Sequence, residues 1–154
     1  MTLLPPVAAP AAPPDALRMR LEVEIPSDVR YIEPIVGVVQ RDCELLAYPP
    51  RHCALNVPVA LSEALSNAIL RGNEQSPEKR VRVRASMDTG AIVIEVSDEG
   101  DGFDLESATT DVTDPANLER EDGRGIFLMR ALMDRVERYQ EDGVNVVRLT
   151  LRRP

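Results

Sequence analysis

The most constraining feature of this 154-residue chain is a hairpin written in alternating residues. Val81, Val83 and Ala85 alternate with Arg80, Arg82 and Arg84. Asp88-Thr89-Gly90 then makes a tight turn, and Ala91-Ile92-Val93-Ile94-Glu95-Val96 returns. A period of two predicts paired antiparallel strands, over about 80–87 and 91–96, with one buried face. That face must be covered by another layer. The chain carries candidate cover: Ile32, Ile35, Val36, Val39, Cys43 and Leu46 form one apolar stripe on a helix from about Asp28 to Leu46, with Ser27 or Asp28 as its cap. A loop containing Pro49-Pro50 and Pro58 leads to a second helix, about Val59 to Arg71, whose apolar face is Leu61, Ala64, Leu65, Ala68 and Ile69 and whose stop is Gly72-Asn73.

Alternation also marks a strand over Arg18 to Ile25. Val136–Gln140, the turn Glu141-Asp142-Gly143 and Val144–Leu151 read as a second hairpin, and Gly125 to Asp134 reads as a helix. Hairpins mixed with helices imply an α+β fold, one sheet with helices over one face. Residues 1–16 hold five prolines and five alanines with a single charge, the composition of an extended or disordered leader, so the folded domain is expected over 17–154. The acidic stretch 103–122 has little apolar periodicity, as expected of a functional loop or lid.

Composition excludes several activities. A net charge of −8 and a pI near 4.7 oppose binding to a phosphate backbone. The longest unbroken apolar runs, such as Ile35 to Val39, fall far short of a membrane span, and no signal peptide opens the chain, so a cytoplasmic protein is expected. Lys79 is the only lysine and Glu78 precedes it, so there is no G-x-x-x-x-G-K-[ST] phosphate loop. Neither a V-A-I-K strand nor an H-R-D loop is present, which excludes a eukaryotic-type protein kinase. His52 is the sole histidine and no serine sits in G-x-S-x-G, which argues against a Ser-His-Asp hydrolase. Cys43 and Cys53 read as reduced core thiols and His52 as a surface residue.

Three constellations carry chemistry. Glu63 and Asn67 stand four apart on one side of a helix, where a carboxylate and a carboxamide oxygen can orient a nucleophile and hold a hard cation such as Mg²⁺. Asp98-Glu99-Gly100-Asp101-Gly102 leaves a strand; its aspartate can accept from an exocyclic amine, and Gly100 and Gly102 admit close ligand approach. Gly123-Arg124-Gly125 opens a helix, where free N–H groups and the dipole favour an anion. Each alone has an ordinary alternative: a solvated helix face, a strand-to-loop turn, a hinge.

Their fixed order, helical E-x-x-x-N, then D-x-G-x-G, then a lid-like loop and G-x-G, resembles the N, G1 and G2 boxes of the Bergerat-fold (GHKL) ATPases. Glu63-Ala64-Leu65-Ser66-Asn67-Ala68 and Gly123-Arg124-Gly125-Ile126-Phe127-Leu128-Met129 look closest to the bacterial anti-sigma factor serine-protein kinases of the RsbW/SpoIIAB type. The resemblance implies a two-layer sandwich with one mixed, mostly antiparallel sheet. It also implies ATP and Mg²⁺ as cofactors, with Asn67 as the metal ligand and Glu63 as general base. Asp98 would read adenine with Gly100 and Gly102 shaping the pocket, and Gly123, Arg124 and Gly125 would close over the phosphates. Arg71 stands where such kinases often carry histidine and would contact phosphate. Gly143-Val144 replaces the usual Gly-Thr, and Thr150 is the nearby hydroxyl. Implied partners are a sigma factor and a STAS-domain anti-anti-sigma factor, with a homodimer as the assembly and no role for nucleic acid or membrane. Two other readings fit the same boxes: a stand-alone histidine-kinase-type ATP-binding domain, and a non-catalytic module that sequesters a partner.

Overall fold

The computed structural model describes residues 17–100 and 121–154, with side chains from residue 125 in the second stretch. The leader at 1–16, Gly102 and nearly all of the acidic connection lie outside the described residues. The sheet comprises β1 (Arg18–Pro26), β2 (Arg80–Asp88), β3 (Ala91–Asp98), β4 (Arg135–Glu141) and β5 (Val144–Arg152), in the order β1-β2-β3-β5-β4. All four pairings are antiparallel, so the parallel element allowed for in a mixed sheet is not among the described strands. Both expected hairpins form. The second turns on Asp142 (φ 51°) and Gly143 (φ 82°), two positive-φ positions that match the twist of a two-residue hairpin.

Alternation selects the inner face. Val81, Val83, Ala85 and Met87 of β2 meet Ile92, Ile94 and Val96 of β3, and Leu149 and Leu151 of β5 continue the surface. Helices α1 (Ile32–Leu45), α2 (Val57–Asn67) and α3 (Glu121–Leu132) supply the second layer. Leu61, Leu65 and Ile69, one side of the α2 run, are fully buried; each such burial stabilises by roughly 1.5–3 kcal/mol. By length and composition alone, His52–Gly72 could cross a membrane (21 residues, mean hydropathy 1.3). In this fold its apolar side is part of the core.

Two helix boundaries differ from the sequence reading. Asp28 caps only a 3-10 turn, Val29–Tyr31, by accepting from Arg30 N at 2.9 Å, and α1 follows it. Ser27 instead donates to Lys79 O at 2.7 Å. From residue 50 the segment expected to be a Pro-rich loop is helical. A π turn, His52–Asn56, precedes α2, and its wider spacing (Val57 N–H to His52 O) accommodates Pro58, which has no N–H to offer an ordinary helical ladder. His52 therefore lies half-buried in a helical turn, not in a loop. Cys43 and Cys53 are both buried, their sulfurs 2.9 Å apart.

Candidate functional site

The α2 run is the spine of the site. Glu63 and Asn67 are both half-buried and share one face of α2, four residues apart. Opposite them lies Gly125 of α3. A Cβ at Gly125 would come 3.0 Å from Asn67 Nδ2 and 3.3 Å from Glu63 Oε2, so a bare Cα is what lets α3 cross directly over both polar groups. The chain holds this crossing from the other end as well, where Asn56 Nδ2 donates to Leu132 O at 2.6 Å.

After Asn67 the helix widens into a second π turn, Ala68–Gly72, closed by Asn73 N to Ala68 O at 2.8 Å. It delivers Gly72 against the end of β3. A Cβ at Gly72 would fall inside the Asp98 carboxylate, and one at Gly100 would fall inside the Gly72 carbonyl. These two glycines bring the helix backbone, Asp98 and the loop after β3 into direct contact. Glu63 and Gly72 are nine residues apart on one run, about 14 Å at the helical rise. Glu63 and Asp98 thus sit at opposite ends of a span comparable in length to a nucleoside triphosphate, with Asn67 between them.

Asp98 is the last residue of β3 and faces the helical layer, in register with Val81 on one side and Asn145 on the other. Its Oδ1 accepts from Asn145 Nδ2 at 2.8 Å and from Gly100 N at 2.9 Å. No hydrogen bond to Oδ2 is present among the described residues. Burial raises the Asp98 carboxyl above its ordinary value; the Asn145 and Gly100 hydrogen bonds and the charges of Arg138 and Lys79 pull it back in part. The loop is further tied by Asn73, which is buried. Its Oδ1 accepts from Glu99 N at 2.8 Å, and its Nδ2 donates to Ser27 Oγ at 2.8 Å and Arg80 O at 2.9 Å.

Several expected positions are placed differently. The helix expected over Gly125–Asp134 is Glu121–Leu132, so Gly123, Arg124 and Gly125 lie inside its first turns and do not precede it. The bare Cα of Gly125 against α2 explains how a glycine is accommodated there. Gly123 and Arg124 remain among the first four residues, whose N–H groups have no acceptor within a helix. Arg71 is exposed, one residue before Gly72. Thr150 pairs with Val93 and Arg135, five residues up β5 from the partner of Asp98, and alternation puts it on the opposite sheet face. It is not the hydroxyl beside Asp98. Asn145 occupies that place. Gly72, Asn73 and Asn145 were not singled out from sequence as site residues. The available signal for Asn145 was an amide on the inward alternation of Val147, Leu149 and Leu151, where apolar residues are usual.

An α+β sandwich with these two polar ends along one helix defines a class. The chain matches the histidine kinase-like ATPase domain over residues 25–151, and it belongs to that family. Among curated proteins it is similar to the serine-protein kinase RsbW of Listeria monocytogenes, 32% identical over 97 residues, which cover 60% of this chain and 62% of that protein. It is also similar to the anti-sigma F factor of Heyndrickxia coagulans, 40% identical over 93 residues, 58% of this chain and 63% of the relative. The matches thus span somewhat under two thirds of these relatives. Among solved structures, the RsbU and RsbW domains of a Mycobacterium tuberculosis protein match with a TM-score of 0.61 at 16% identity, over 88% of this chain and 33% of that one, which supports the fold.

Proposed function

We propose that this chain is an ATP-dependent serine-protein kinase and anti-sigma factor of a bacterial partner-switching system. Its family, and the names of the RsbW and anti-sigma F relatives, support that reading. The observation that carries it is the α2 run, with Glu63 and Asn67 along it, Asp98 against its end, and Gly125 of α3 over the first two. Adenine lies at the Asp98 end, where the exocyclic amine donates to Oδ2. The triphosphate extends toward Asn67, and Gly123, Arg124, Gly125 and Arg71 border the phosphates.

The Asn67 carboxamide and Glu63 carboxylate are hard oxygen donors of the kind Mg²⁺ prefers, so these residues fit the ion. When bound, it supplies neutralisation of phosphate charge, with Asn67 holding it. Glu63 accepts the proton of the antagonist's serine hydroxyl as that oxygen bonds to the γ-phosphorus; the bond to ADP breaks and ADP leaves with its electron pair. The protein substrate is a STAS-type antagonist, the sequestered partner a sigma factor, and the assembly a cytoplasmic homodimer.

The test is transfer of labelled γ-phosphate to a STAS-domain protein, with titration calorimetry of ATP in parallel. Glu63→Gln is expected to keep ATP binding and lose transfer. Turnover equal to the parent's discards Glu63 as base. A product that loses its label in acid indicates phosphohistidine and the histidine-kinase reading instead, and no heat with ATP supports the sequestering module.

A further inference from the structure

Asn145 connects the site to the edge of the sheet. It is 4% exposed, and its carboxamide is held at both ends. Nδ2 donates to Asp98 Oδ1 at 2.8 Å and to Gly100 O at 3.3 Å, while Oδ1 accepts from Gln140 Nε2 at 3.0 Å across the β4–β5 hairpin. An amide group can be turned two ways, and here the Asp98 carboxylate and the Gly100 carbonyl, which can only accept, require the NH₂ group to face them; Oδ1 is then turned to Gln140, whose own amide presents its Nε2. Oδ1 of Asp98 then carries two donors, and among the described residues none donates to Oδ2.

We infer that Asn145, its amide held between Asp98, the Gly100 carbonyl and Gln140, is the positioning residue that aims the Asp98 acceptor at a 6-amino purine and so sets the base preference of the site. The inference rests on the proposed nucleotide-binding reading. It turns on charge as well as shape. An acceptor-only Asp98 matches the amine of adenine and opposes the oxo group of a 6-oxopurine, a mismatch that leaves buried polar groups unpaired. Among the described residues, two cations act on Asp98. Lys79 precedes β2 and Arg138 stands on β4, both favouring the carboxylate. Glu99 is turned away, accepting from Arg80 N at 2.5 Å. The helix contributes Gly72, which brings no charge. A donor at position 145 is therefore the direct control on how Asp98 presents itself.

The experiment measures the binding of MgATP and of magnesium inosine triphosphate, which has an oxo group in place of the amine, to the full chain from pH 5.5 to 8.5. The parent is expected to prefer ATP by about tenfold or more, the scale of one hydrogen bond to a charged acceptor. Asn145→Val, a strand-compatible apolar residue, is expected to remove most of that preference at every pH while circular dichroism stays that of the parent. Asn145→Asp puts two carboxylates face to face. Its ATP affinity is expected to fall about tenfold or more at pH 8 and to recover on acidification, when a shared proton restores a donor to Asp98. A merely structural role predicts no such recovery. Parent-like preference in Asn145→Val, or loss in Asn145→Asp without recovery at acid pH, overturns the inference; if the aspartate variant does not fold, the valine variant decides. Absence of ATP binding by the parent overturns the nucleotide reading itself.

Discussion

Gly72→Ala tests how tightly the helix backbone is fitted to Asp98. The new methyl would overlap Cγ and Oδ2 of Asp98 and stand 2.6 Å from Oδ1, against the roughly 3.5–4.0 Å of ordinary carbon contact. One of the two must move. The helix end is anchored by the Asn73 hydrogen bonds to Ser27, Arg80 and Glu99, so the carboxylate is the part that yields. Turning it away breaks the bonds from Asn145 and Gly100 and removes the acceptor offered to the base. A hydrogen bond to a charged group contributes about 1.5–3 kcal/mol, so ATP binding should weaken roughly 10- to 100-fold. Stability should change less. Overpacking costs about 1–3 kcal/mol, offset by up to about 1 kcal/mol from replacing glycine in a helix. Titration calorimetry gives the affinity, and thermal unfolding by circular dichroism shows that the fold persists. Parent-like affinity in a folded Gly72→Ala protein would refute the placement of adenine at Asp98.

Other consequences follow from the same contacts. Asn73→Ala removes three hydrogen bonds made by a buried carboxamide, to Ser27, Arg80 O and Glu99 N, and urea unfolding should show a loss of about 2–4 kcal/mol. The Asp98 carboxyl is raised in the folded state, so its contribution to stability is present below its unfolded value and is lost as pH rises through the folded one. At neutral pH the ionised group therefore opposes folding. Asp98→Asn should raise Tm, by about 2–4 °C for each kcal/mol relieved, while ATP binding is lost. Tyr48 is buried and donates to Asp88 O at 2.6 Å, and burial pushes its phenol up to about 12. Ultraviolet titration should show the Tyr48 phenol ionising near 12, with the corresponding stability present below pH 10 and lost as pH rises through 12.

Much of the framework was legible because periodicity reports burial. The inward set of β2 and β3 and the buried side of α2 were readable residue by residue. The Glu63–Asn67 pair was readable for a related reason, since four residues along an α-helix is a fixed geometry. What escaped depended on contacts between distant segments. Gly72 reads in sequence as a helix stop, and only the arrival of β3 reveals it as the surface Asp98 rests on. Pro58 signals a loop by local rules, yet a π turn one step earlier removes the conflict. Asn145 lies 47 residues from Asp98 along the chain, and the pairing of β3 with β5 brings them together.

The helical run from His52 to Gly72 carries Glu63 and Asn67 in its middle and, at its end, the backbone that Asp98 of β3 rests on. On the proposed reading, any sliding or tilting of this run displaces Glu63 and the Gly72 surface beneath Asp98 together. Regulation that spares one of them while altering the other must come from around the run: the sheet edge at Asn145, or the crossing of α3 at Gly125.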